Sequence, residues 1–214
     1  MGERPTSYDE IVMMGSLQKE GSGIINFINP FKTTISVLIN IVRNEHSTDV
    51  IEIIQKKPKS NVPGLGTHQI PFTFYPREIR DYTASVVVEL NDKISWTFPI
   101  KVITESRSVD VDFSFQTQCR KRLEKDIELN LAGLTDVSPN EKFYAEVNPL
   151  NQEHALNVKK WLVLVPLKNF LNSVDDNLTY SMKFMPFKPF KTAAEIIVTR
   201  ASGGRWRFRV IAEA

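Results

Sequence analysis

The sequence predicts an all-β chain built as two tandem antiparallel β-sandwiches, and three observations predict it. Runs of β-branched residues with inside–outside alternation recur along the whole 214-residue chain. A period of two describes a strand with one buried face and one wet face. Turn residues break these runs at short, regular intervals, as in sandwiches. The third observation is an internal copy. Residues 70–104 (IPFTFYPREIRDYTASVVVELNDKISWTFPIKVIT) align without a gap on residues 180–214 (YSMKFMPFKPFKTAAEIIVTRASGGRWRFRVIAEA). Phe74 falls on Phe184, Pro76 on Pro186, Trp96 on Trp206, Phe98 on Phe208 and Ile100 on Val210. A constant Pro-to-Trp spacing is a structural repeat signal. It divides the chain into one sandwich over residues 1–107 and a second over 108–214, each near the roughly 100 residues of an immunoglobulin-type sandwich.

In the first half, residues 24–27 form a strand, Asn29-Pro30-Phe31-Lys32 a turn, and residues 35–42 a second strand whose Ile35, Val37, Ile39 and Ile41 share a face. The β-branched run at 49–55 makes a third. Residues 56–66, polar and punctuated by Pro58, Pro63, Gly64 and Gly66, read as a loop. Strands follow at 69–75 and 82–90, with a bend at 76–81 between them, and residues 94–103 close the half. The segment Thr104-Glu105-Ser106-Arg107-Ser108 is the expected junction; short and without Gly, it leaves limited freedom. The second half repeats the order with strands at 109–117, 125–131, 143–147, 159–165, 179–185, 193–200 and 205–212. Residues 166–173 are the helical candidate, or else a wide loop.

Phe74, Pro76, Trp96 and Phe98, with Phe184, Pro186, Trp206 and Phe208, are the expected structural core. Each proline ends a strand because it lacks the N–H that a ladder needs. The alternating aromatics then plug the sandwich, and loss of such a ring costs roughly 3–5 kcal/mol.

Composition narrows the function. Hydrophobic residues make 42% of the chain and charged residues 24%, ordinary for a packed domain. The one short apolar run near the start, Ile11-Val12-Met13-Met14, falls below the about 7–15 residues of a secretory signal. No run approaches the ~20 of a membrane span. The residues before Tyr8 read as a polar leader, and Glu213-Ala214 directly follows an expected strand, so both ends suit excision from a longer chain. The single cysteine, Cys119, permits no internal disulfide and favours a reducing compartment, where the sequon Asn177-Leu178-Thr179 is simply a turn.

Reactive constellations are missing from the sequence pattern. His46, His68 and His154 are scattered over loops without ligand spacing. Cys119 lies beside Arg120 and Arg122 but has no His or Asn arrangement to complete a nucleophile. Pro63-Gly64-Leu65-Gly66-Thr67 lacks the lysine of a phosphate loop. Asp175-Asp176-Asn177 has too few ligands for calcium. No catalytic residue, metal site or cofactor is expected.

Arg205-Trp206-Arg207-Phe208-Arg209 stands apart. Net charge is only +2, but from Lys183 to Arg209 the basic residues face a single acid, Glu195. Alternation turns Trp206 and Phe208 inward and sets Arg205, Arg207 and Arg209 on the opposite face, about 7 Å apart. Lys188 and Lys191 support that face, with Lys183 and Arg200 adding to it according to strand pairing. Two readings stay open: positive charge guarding an edge strand, or a protein-binding surface for an acidic partner. Inward aromatics cannot stack on bases, so nucleic acid is not expected.

The residues also resemble a known family. Gly23-Ile24-Ile25-Asn26-Phe27-Ile28-Asn29-Pro30-Phe31 resembles the opening x-F-x-N-P-F of ASH (ASPM, SPD-2, Hydin) domains, immunoglobulin-like modules akin to the major sperm protein fold. Ile70 to Pro76, Tyr82 and Trp96-Thr97-Phe98-Pro99-Ile100 match the rest of the pattern. Phe184-Met185-Pro186-Phe187-Lys188-Pro189 and Gly203-Gly204-Arg205-Trp206-Arg207-Phe208 are similar to the tandem modules of cilia- and flagella-associated proteins. The second copy departs at its start, where Cys119-Arg120-Lys121-Arg122-Leu123 replaces the Asn-Pro-Phe turn. The resemblance implies a non-enzymatic scaffold fragment in the cytoplasm, at the axoneme of a cilium or flagellum. The partners it implies are other axonemal or cytoskeletal proteins, including acidic surfaces such as tubulin. The alternative it leaves open is an adaptor of the major-sperm-protein type, which binds short acidic motifs or tethers membrane or cytoskeletal partners. An accessory domain of an enzyme is the third reading.

Overall fold

The computed structural model describes residues 7–55 and 57–214, apart from the side chains of Ser108 and Val109. Of the expected polar leader, residues 1–7, the first six lie outside the described residues, and Ser7 bridges to Thr97. The chain forms two compact units, Met1–Arg77 with Asp81–Thr104, and Glu105–Ala214 with Glu78–Arg80.

The first unit holds strands β1 (Ile11–Ser16), β2 (Gly21–Ile28), β3 (Ile35–Arg43), β4 (Ile51–Ile53), β5 (Lys59–Val62), β6 (Thr67–Phe74), β7 (Asp81–Asn91) and the start of β8 (Ile94–Gln116). One layer runs β8-β7-β3-β5, with β1 also on β8, and the other runs β2-β6-β4. Alternation explains both: Ile35, Val37 and Ile39 on β3 and Val86 and Val88 on β7 are buried, with their neighbours turned outward. They meet Phe27, Phe72, Phe74, Trp96 and Phe98 in one apolar cluster. The Phe27 and Trp96 rings lie 4.9 Å apart. Gly21 and Gly23 stand directly across from Phe74 and Phe72. Those rings fill the space a side chain would need.

The Asn-Pro-Phe turn has a local cause. Asn29 is fully buried, and its Nδ2 donates to the carbonyls of Thr33, Val62 and Pro63 at 2.8–3.0 Å. Its Oδ1 accepts the Phe31 N–H at 2.9 Å. One amide side chain thus satisfies backbone groups of two segments far apart in sequence.

The second unit holds the rest of β8, then β9 (Leu123–Leu129), β10 (Phe143–Pro149), a short helix α1 (Ala155–Trp161), β11 (Leu162–Lys168), β12 (Leu178–Phe184), β13 (Lys191–Arg200) and β14 (Arg205–Glu213). One layer runs β10-β13-β14-β8 and the other β11-β12-β9. The pairing of β14 with β8 is parallel, and the rest of the unit is antiparallel. Ile127, Leu129, Phe143, Leu178, Met182, Phe184, Ile196, Val198, Trp206 and Val210 are buried.

Three expectations are corrected, and the apolar run noted near the start is placed. Residues 94–103 and 109–117 form one strand, β8, because nothing in Thr104 to Ser108 breaks a strand; Thr104 itself is fully buried. The 56–66 loop contains β5, whose Val62 is buried and pairs with Ile35. The short apolar run at 11–14 lies in β1. The helix sits at Ala155–Trp161, not at 166–173. Val163, Val165 and Pro166 suit a strand, while Ala155, Leu156, Lys159 and Lys160 suit a helix. Pro166 lies on an edge strand, beside a register shift.

Candidate functional site

Seven of the eight expected core residues are buried: Phe74, Pro76, Trp96, Phe98, Phe184, Pro186 and Trp206. Phe208 is the exception. It is half-buried, and its ring meets the half-buried Phe113 of β8 with centroids 6.4 Å apart. The cause is a distortion in the β14–β8 ladder. Arg207 pairs with Arg107, but two residues on, Arg209 pairs with Val111, and Val210 then pairs with Phe113. Extra β8 residues bulge out there, and the Asp112 carboxylate accepts the Arg209 backbone N–H at 2.6 Å in place of a ladder carbonyl.

The arginine strand is also not a uniform ladder of charge. Arg207 donates Nε to Glu105 at 2.7 Å and Nη1 to Glu195 at 2.9 Å. Arg107 reaches the other oxygen of Glu195 at 2.7 Å. Burial alone would raise the Glu195 pKa, but hydrogen bonds from Arg107 and Arg207 outweigh it and hold the carboxyl below its ordinary value. The same balance raises the Arg207 pKa despite its desolvation. Two arginines and two carboxylates thus form a near-neutral cluster. Arg205 is half-buried and Arg209 exposed. Lys188 is exposed, and Lys191 pairs with Glu213 at 2.9 Å.

Arg200 is an interior residue, a correction to its place among the surface charges. Its side chain is 1% exposed and pairs with Asp136 at 3.2 Å and Glu141 at 3.5 Å. It also donates to the Ile79 carbonyl and lies 5.7 Å from the Trp206 ring. Trp206 in turn donates Nε1–H to the Ala132 carbonyl at 3.0 Å. A buried guanidinium needs such partners, since an unpaired one is costly.

Between the distorted β8–β14 pair and the end of β9 opens a groove of about 430 Å³, lined by Asp112, Phe113, Glu128, Asn130, Trp206 and Phe208 among others. Among the described residues lining it there is no His, Cys or Lys. It offers aromatic surface, the carboxylates of Asp112 and Glu128, and the guanidinium groups of Arg107 and Arg207. Sequence reasoning missed this groove. The signal was Asp112-Phe113 on β8 and Glu128 on β9, which come to one groove only once both strands are placed. Among the described residues no group of three His, Cys, Asp or Glu is placed to hold a metal ion, and no helix is long and apolar enough to cross a membrane.

The family model described as CFAP47-like, immunoglobulin-like domain matches residues 103–214. No curated protein matches the chain. Among solved structures, the ASH/PapD-like domain 7 of human CEP192 is 13% identical over 46% of this chain and 80% of its own, with a TM-score of 0.33. SSP-19, an MSP-domain protein of Caenorhabditis elegans, is 11% identical over 42% of this chain and 92% of its own, with a TM-score of 0.30. A family 123 glycoside hydrolase of Clostridium perfringens is 13% identical over 50% of this chain and 26% of its own, with a TM-score of 0.39.

Proposed function

We propose a scaffold role in motile cilia, from the premise that the chain belongs to the CFAP47-like, immunoglobulin-like domain family, whose model spans residues 103–214. That match is the observation that carries the reading. The chain is non-enzymatic, resides in the cytoplasm at the axoneme of a cilium or flagellum, and contacts other axonemal or cytoskeletal proteins. We read the aligned halves as a tandem pair of rigid modules that present edges and loops to neighbours. Rigid sandwiches suit this work because contact residues on a fixed frame lose little entropy on binding. The test is localisation of the tagged full-length protein in ciliated cells. Axonemal signal that survives detergent removal of the membrane is expected; diffuse cytosolic signal would reject the role.

A second reading, the acidic-motif adaptor, draws on the exposed cations Arg209 and Lys188. Arg207 and Lys191 already face carboxylates, which leaves a smaller basic surface than the sequence alone suggests. A peptide array of short acidic motifs separates this reading from the first. Salt-sensitive capture lost on charge reversal of Arg209 and Lys188 would favour the adaptor.

A further inference from the structure

The second unit leaves one edge of a sheet open beside an aromatic groove, and the two arginines that line the groove, Arg107 and Arg207, are both paired with carboxylates. In the layer β11-β12-β9, β9 is an edge strand, paired on one side with β12. Its backbone groups on the other side have no strand partner among the described residues. Ile127 and Leu129 point into the core, while Asp126 and Glu128 lie exposed on the opposite face, two residues apart. Glu128 also lines the groove whose aromatic surface is Phe113 and Phe208. Edge strands often carry charge to repel other strands. A purely protective edge has no use for half-exposed aromatic rings next to it.

Resting on the protein-contact reading above, we propose that this groove accepts an extended segment of a partner protein that alternates basic and apolar residues. The segment adds a strand to β9 through backbone hydrogen bonds, the mode known as β-augmentation. Its apolar side chains continue the inward face of β9 and cover Phe113 and Phe208. Its lysines or arginines fall on the outward face, at the spacing of Asp126 and Glu128, about 7 Å. The groove volume of about 430 Å³ lies within the roughly 300–1,000 Å³ typical of ligand sites. Glu124, the third outward acid of β9, is held by Arg122 and Lys183. The Glu105–Arg207–Glu195–Arg107 cluster is internally balanced. Asp126 and Glu128, which accepts one hydrogen bond from Asn177 at 3.2 Å, thus stand against the single exposed Lys125 of β9 and make its outward face acidic.

The test uses the 214-residue chain and two capped peptides: one alternating Lys with Val or Ile over six residues, the other with Glu in place of every Lys. Amide NMR spectra are recorded during titration. The basic peptide is expected to shift resonances of residues 123–129, Phe113 and Phe208, with micromolar affinity that falls as salt rises. The Asp126→Lys, Glu128→Lys double variant, both changes on the exposed face, is expected to lose about tenfold or more in affinity while keeping the melting temperature. Equal binding of the acidic peptide, shifts confined to another surface, or no shift at millimolar peptide would each overturn the proposal. An unresponsive groove together with axonemal localisation would leave the scaffold role standing, and cytosolic localisation with a responsive groove would do the reverse.

Discussion

Single side chains carry much of the local order, and Asn29 shows how. Its amide closes the first-unit turn through four backbone groups. Asn29→Ala leaves buried carbonyls unsatisfied and is expected to cost about 3 kcal/mol, read by urea unfolding. The Asn-Pro-Phe motif was legible in the sequence, but not its reach to Val62 and Pro63, since those partners come from a distant segment. The same limit hid the fate of Arg207. Alternation set it on the outer face correctly, yet the carboxylates that neutralise it come from β8 and β13. Glu195→Gln strips a charge from under Arg107 and Arg207 and is expected to destabilise by about 2 kcal/mol. A conservative Glu195→Asp should restore part of that loss. Asp176 gives a pH prediction. Hydrogen bonds from Lys168 and the Asn172 N–H lower its pKa to about 2. A depressed carboxylate stabilises the fold above its unfolded value, roughly 4, and that contribution disappears as pH falls through the folded value. Thermal melts between these limits should decline less steeply for Asp176→Asn than for the parent.

At the scale of elements, strands with a clean period of two were readable, and those shaped by their neighbours were not. β3, β7 and β13 follow from their alternating or continuous apolar runs. β5 is written in polar residues around Lys59, Ser60 and Asn61, and it exists because β3 offers a ladder. β11 combines β-branched residues with a proline, a pattern that an edge tolerates and a helix does not. The bulge that leaves Phe208 only half-buried has no sequence marker, because it depends on β8 running past β14 out of step. Close approaches make the turns testable. Gly204 adopts φ +88°, and a Cβ there would sit 2.6 Å from the Ile79 carbonyl oxygen. Gly204→Ala is expected to destabilise by roughly 1–3 kcal/mol, again by urea unfolding. Ser202→Ala, in the same turn but exposed, should cost less, since its hydroxyl bond to Glu141 is a surface contact.

For the whole molecule, the sequence showed an all-β chain with two aromatic plugs, and Trp96 and Trp206 are both buried. Its charge pattern left open a guarded edge or a basic docking strand, and folding spends most of those cations on internal partners and leaves the acids Asp126 and Glu128 on an edge beside a groove. The function proposed at this scale is contact with other proteins. The most direct measurement is co-sedimentation of the purified chain with demembranated axonemes over a range of concentrations. Saturable pelleting that weakens when Asp126 and Glu128 are reversed to lysine is the predicted result. A chain that stays in the supernatant at every concentration would contradict it.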